Sequence, residues 1–96
     1  MDKKIYYNNL YDYYASLFTE KQRAYYEDYY FRDLSLSEIA ENNHVSRNAV
    51  HNQIKSVEEN LDFYEEKMGL YQKACAIRKL IQELEEPLKS EIEKII

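Results

Sequence analysis

The sequence predicts an all-α fold, and three observations carry that prediction. Apolar residues recur at intervals of three and four along nearly the whole chain, the period of an amphipathic helix. Thr19–Gln22 and Ser35–Glu38 have capping-box spacing, each just ahead of such a run. One glycine and one proline in 96 residues leave too few turn formers for a β-sandwich, which needs a turn roughly every 8–12 residues.

The first helix is expected from about residue 4 to about residue 16, with Tyr7, Leu10, Tyr11, Tyr14, Leu17 and Phe18 as its inward stripe. Tyr6 and Tyr13 fall off that stripe with Asn8, Asn9 and Asp12. Nine of the eleven tyrosines lie between Tyr6 and Tyr30, which raises the question of a base-stacking platform. We read them as core, with hydroxyls reaching solvent at the rim. A second helix starts at Thr19, with Gln22, Tyr25, Tyr26, Tyr29 and Tyr30 inward, and stops near Phe31-Arg32-Asp33. Ser35 then starts a short helix whose inward residues are Leu36, Ile39 and Ala40. Asn42-Asn43-His44 breaks it, and Asn and His are among the few non-glycine residues that take positive φ readily.

Val45 is a single apolar plug and Ser46 the N-cap of a long helix, ruled by Val50, Ile54, Val57, Leu61, Tyr64 and Met68 and closed at Gly69. Such a helix is roughly 30 Å long, so its far half must overhang the small N-terminal domain or carry the next helix against it. A short helix, a tight turn and a longer helix make a helix-turn-helix, here over 36–62. Opposite Val50 and Ile54, the first two turns present Asn48, His51, Asn52 and Lys55, with Arg47 lateral in the first turn. Arg and Lys suit guanine edges or phosphates, Asn suits adenine, and the helix start at Ser46 offers amides to a phosphate. No acidic residue falls between Asn42 and Val57, in a chain that holds 18. The candidate nucleic-acid-binding set is therefore Ser46, Arg47, Asn48, His51, Asn52 and Lys55, with Thr19, Gln22 and Arg23 as weaker phosphate candidates. The competing reading is an ordinary solvated helix face.

After Gly69 a further stripe runs through Leu70, Ala74, Ile77, Ile81 and Leu84. Pro87 interrupts it or starts a final helix, and Leu88, Ile92, Ile95 and Ile96 continue the apolar face. The chain thus divides into a helical domain, 1–68, and a C-terminal extension, 69–96, that packs back, pairs with another chain, or both. A homodimer is the favoured expectation, since it would set two recognition helices at a fixed separation. Lys67, Lys73, Arg78 and Lys79 form a second basic patch in an acid-free run, suited to RNA or to an acidic protein face. The alternative is that they balance Glu65, Glu66, Glu83, Glu85 and Glu86.

Composition bounds the rest. With 32% charged and 45% hydrophobic residues the chain is globular rather than disordered. It has no membrane-length apolar run and no secretory h-region, and a single cysteine, so a cytoplasmic location is expected. The net charge of −5 opposes strong non-specific nucleic-acid binding without excluding a local basic site. His44 and His51 are seven apart with His44 in the turn, and Cys75 is remote, so no metal-ligand spacing exists. There is no glycine-rich phosphate loop, and Cys75 between Ala74 and Ala76 reads as a small buried hydrophobe. We expect no enzyme activity, cofactor or metal.

The stretch from Leu17 to Leu61 resembles region 4 of bacterial sigma factors. A closer resemblance covers nearly the whole chain: Tyr13-Tyr14-Ala15-Ser16-Leu17-Phe18-Thr19-Glu20-Lys21-Gln22, Tyr29-Tyr30, Asp33-Leu34-Ser35-Leu36-Ser37-Glu38-Ile39-Ala40-Glu41, Val45-Ser46-Arg47-Asn48-Ala49-Val50, Ile54-Lys55 and Tyr64-Glu65-Glu66-Lys67-Met68-Gly69-Leu70. These strings are similar to the YlxM family of small DNA-binding proteins from low-GC Gram-positive bacteria and relatives. The resemblance implies an all-helical fold with a sigma-region-4-like helix-turn-helix and added C-terminal helices. It also implies a link to the signal recognition particle, because the family's genes lie beside those for that particle's GTPase and its receptor. Two departures stand out: the family's Leu-Gly before the apolar plug is Asn43-His44 here, and Asn43 replaces a core-facing apolar side chain. Ser46, Arg47, Ala49 and Val50 match the family's recognition positions, while His51 stands where an aromatic or polar residue is common, so no base preference carries over. Two functions are thus expected: a DNA-binding regulator, or an accessory of the signal recognition particle that contacts its RNA or GTPases.

Overall fold

The computed structural model describes residues 2–96. Six α-helices follow in order: α1 (Lys3–Tyr14), α2 (Glu20–Tyr30), α3 (Leu36–Asn43), α4 (Arg47–Met68), α5 (Leu70–Leu80) and α6 (Leu88–Ile95), with a 3-10 turn over Ala15–Leu17. No strand occurs among the described residues. The fold is all-α.

Local chemistry sets most of the boundaries. Asp2 caps α1, its carboxylate accepting from the Lys4 amide. Both capping boxes form: Thr19 Oγ1 accepts from Gln22 N at 3.1 Å while Gln22 returns to Thr19 N, and Ser35 and Glu38 do the same. The Ser35 contacts, backbone first, hold the exposed Glu38 carboxyl below its usual range. Asp33, at φ 55°, turns the chain out of α2, and Leu34 N–H returns to the Asp28 carbonyl at 3.0 Å.

Helix α4 is the axis on which α1, α2 and α3 all pack. Leu10, Tyr14, Tyr26, Ile39, Val50, Val57 and Leu61 are fully buried along it. Tyr11, Tyr14, Tyr25, Tyr26 and Tyr30 are core, as their spacing predicts. Tyr26 stacks between Tyr11 and Tyr30 with ring centroids 4.3 and 4.4 Å away. Their hydroxyls end on acceptors at the rim. Tyr7 donates to Asp62 at 2.7 Å, Tyr11 to Glu27 at 2.6 Å, Tyr14 to Glu65 at 2.7 Å, Tyr26 to Asn8 at 3.1 Å, and Tyr30 to Glu58. Among the described residues no buried side-chain polar atom lacks a partner.

The far half of α4 carries α5. Gly69, at φ 61°, both closes α4 and opens α5, and α5 turns back against α1 and α4. One carboxylate fastens this joint: Glu65 accepts from Tyr71 N and Gln72 N, and Tyr14 Oη accepts from Leu70 N at 3.0 Å. Those three amides are the donors that a helix start leaves unpaired. The molecule is elongated, 52 × 25 × 24 Å.

Several expected inward positions differ. Leu17 is 53% exposed because α1 tightens into a 3-10 turn after Tyr14, which rotates Leu17 out and brings Phe18 in. Tyr29, Met68, Leu70, Leu84, Leu88 and Ile95 are exposed, the last at 84%. Tyr6 and Tyr13, off the stripe of α1, are half-buried because α5 brings Tyr71 to 6.2 Å from each ring. Asn43 is exposed rather than core-facing, and its side-chain amide donates to the Ile39 carbonyl at 2.7 Å. Cys75 is exposed, not buried: Ala74 takes the inward position beside it.

Candidate nucleic-acid interface

The interface begins at the turn between α3 and α4. His44 sits in the left-handed region at φ 56°, ψ 42°. Its N–H reaches the Glu41 carbonyl at 3.3 Å and Val45 N–H reaches Ala40 at 3.1 Å, the paired closure of a Schellman motif. This turns the chain sharply, and Val45 packs against the core as the plug. Ser46 then caps α4, its Oγ accepting from Ala49 N at 3.0 Å.

Packing fixes the rotation of α4. Ala40 and Ile39 on α3 meet a helix whose Val50 and Ile54 are buried, so the side chains opposite those two face outward. Ser46, Arg47, Asn48, His51, Asn52 and Lys55 are all exposed. The first turn carries no acidic residue, and among the described residues neither Arg47 nor Lys55 is in an ion pair. The result is an exposed, polar, acid-poor face with two unneutralised cations, mounted on a rigid helix.

A model of the UPF0122 family, described as "Putative helix-turn-helix protein, YlxM / p13 like", matches residues 1–96. The chain belongs to the UPF0122 family. It is similar to a UPF0122 protein of Listeria welshimeri, with 49% identity over 81 residues that cover 84% of this chain and 74% of the relative. A UPF0122 protein of Fusobacterium nucleatum is 48% identical over 89 residues, 92% of this chain and 86% of its own length. One from Shouchella clausii is 45% identical over 91 residues, 95% and 84% of the two chains.

The other predicted residues of this UPF0122 chain lie elsewhere. Thr19, Gln22 and Arg23 sit at the start of α2, roughly 9–15 Å along the helix from Tyr29, the end that borders His51. The Thr19 and Gln22 side chains are occupied by each other's backbone, and Arg23 lies 4.0 Å from Glu27. The second basic patch is spread from the end of α4 along α5: Lys67 and Lys73 flank the α4–α5 joint, and Arg78 and Lys79 lie at the far end of the helix. Lys67 lies 5.7 Å over the Phe63 ring, Arg78 donates to Tyr13 Oη at 3.2 Å, and Lys73 and Lys79 are exposed. Arg78 and Lys79 also fall in the last turn of α5, where positive charge complements the helix dipole. Among the described residues no cluster of His, Cys, Asp and Glu could hold a metal, and no helix is long and apolar enough to cross a membrane.

Sequence reasoning did not connect two residues with this face. Lys3 and Tyr29 border the same cleft as His51 and Lys55. Nothing in the spacing of the chain relates residue 3 to residue 55. The packing of α1 along α4 brings them together.

Proposed function

We propose that this UPF0122 protein is a non-enzymatic, DNA-binding regulatory protein that reads duplex DNA with the recognition segment Ser46–Lys55. The observation that carries the reading is the exposed, acid-free face of the first two turns of α4, with Arg47 and Lys55 in no ion pair among the described residues. Laid in a major groove, that face offers Arg47 and Lys55 to guanine edges or phosphates and Asn48 and Asn52 to adenine. His51 adds a donor beside them. The amides at the Ser46 cap offer a phosphate the positive end of the helix dipole. A net charge of −5 keeps the non-specific term small, so affinity should depend on site, and the phosphate contacts made at that site should make it fall steeply with salt. In this reading the helix-turn-helix is of the sigma-region-4 type, residues 1–68 form the binding domain, and the protein acts in the cytoplasm.

The C-terminal extension would then join two copies. Leu80 is 82% exposed and Ile95 84%, apolar surface suited to a twofold contact. Light scattering should give the mass of two chains, and a single-chain mass at every concentration removes the homodimer.

Retention of genomic fragments at low salt, with and without Arg47→Ala, tests the DNA reading. Loss of a groove contact costs about 1–3 kcal/mol, so affinity should fall about five-fold or more. If the intact protein retards no fragment, the reading fails. A second reading is favoured by the exposed Lys67, Lys73 and Lys79 in the acid-free run before Glu83. Here the protein is an accessory of the signal recognition particle and meets its RNA or GTPases through that patch. A pull-down with folded bait that recovers neither component excludes it.

A further inference from the structure

Helix α1 runs alongside α4 in the same direction. Tyr7 meets Asp62, and Tyr14 meets Glu65 and the Leu70 amide further on. The start of α1 therefore arrives beside the middle of α4, near Lys55 and Glu58. Lys3 enters one open cleft of about 290 Å³ with Tyr29, His51, Lys55 and Glu58. Lys3 and Tyr29 also border the adjoining cleft of about 450 Å³, so the two form one continuous trough that leads from His51 and Lys55 to the start of α1 and Asp33.

The charges of the smaller cleft are unevenly matched, while Asp2 and Asp33 line the adjoining one with Lys3 and Lys4. Lys4 is neutralised by Asp33 at 2.8 Å. Lys3 is exposed, belongs to no ion pair among the described residues, and has only the Tyr7 ring, 5.8 Å from its Nζ, as a charged-group contact. Glu58 is the single carboxylate sharing the smaller cleft with Lys3 and Lys55, and it accepts the Tyr30 hydroxyl. Two cations thus face one engaged carboxylate. Their position matters as much as their charge. A helix in a major groove turns its outer face to base edges, while its flanks meet the phosphate backbones that form the groove's walls. Lys3 and Tyr29 stand on the flank.

We propose that Lys3 is a DNA-backbone contact, its ammonium donating to a phosphate that borders the groove occupied by α4, with the Tyr29 hydroxyl as second donor. This rests on the DNA reading above. It makes α1 part of the interface and lets its end set the register of the recognition helix on the duplex.

The salt dependence of binding tests it. On a retained fragment and on a scrambled duplex of the same length, Lys3→Ala should weaken binding by the same factor, roughly three- to ten-fold, and reduce the slope of log Kd against log salt by about 0.9. Lys3→Arg should restore both. Lys94→Ala, on α6, should change neither. An unchanged slope in Lys3→Ala, while Arg47→Ala still weakens binding, overturns the proposal and leaves the DNA reading standing. Loss confined to the retained fragment overturns it too, since a phosphate contact carries no sequence. Absence of binding by the intact protein removes the inference and the reading together.

Discussion

His44 holds the left-handed position at the helix-turn-helix turn, where a glycine would sit without strain. A side chain there costs roughly 1–2 kcal/mol, of which glycine's greater unfolded-state freedom offsets part. The His44 side chain is exposed, so little is lost with it. His44→Gly should therefore stabilise the fold by about 0.5–1 kcal/mol, raising Tm by several degrees in a chain this size. A lower Tm on thermal unfolding would show that the imidazole contributes more than the backbone strain it causes. The sequence disclosed this turn because Asn42, Asn43 and His44 interrupt a clear apolar period. It placed the end of α2 near Asp33 but not that residue's left-handed conformation, since aspartate is at home in many conformations and nothing beside it marks a left-handed one.

Among the elements, the N-terminal ends were the most legible. A cap and its partner lie three residues apart, so Thr19, Ser35 and Ser46 announced α2, α3 and α4 directly. The start of α5 was hidden because its amides are capped from elsewhere, by Glu65 on the preceding helix and by Tyr14 on α1. Tyr14→Phe tests that joint. It removes the donor to Glu65 and the acceptor of the Leu70 amide while keeping the buried ring. The cost should be about 1–2 kcal/mol, felt first as faster hydrogen exchange in α5 with α3 and the start of α4 unchanged. Uniform protection across α4 and α5 in the variant would mean the two helices are held by apolar packing alone.

At the scale of the molecule, the core is built from phenols, and that gives it an alkaline weakness. Burial is the first cause, and neighbouring carboxylates the next, that push Tyr7, Tyr14, Tyr26 and Tyr30 above the usual phenol range and Tyr11 up to about 12. An unfolded tyrosine ionises near about pH 10. With folded values above the unfolded one, the contribution is complete below about pH 10 and is lost as pH climbs toward the folded values, because only the unfolded chain ionises freely there. Helical circular dichroism and tyrosinate absorbance should change together, beginning above about pH 10. Tyrosines that titrate normally while helicity persists to about pH 12 would contradict this.

The sequence by itself determined the helical class, the caps, the turn at His44 and the outward face from Arg47 to Lys55. Each of these is written in residues three or four positions apart, where backbone geometry alone relates them. Tertiary structure decided which hydroxyl meets which carboxylate, why Tyr6 and Tyr13 are covered, why Cys75 is not, and that Lys3 stands beside Lys55. Those pairings depend on how α1 and α5 lie along α4. That packing is a sum of many small contacts between distant parts of the chain, and no single local spacing encodes it.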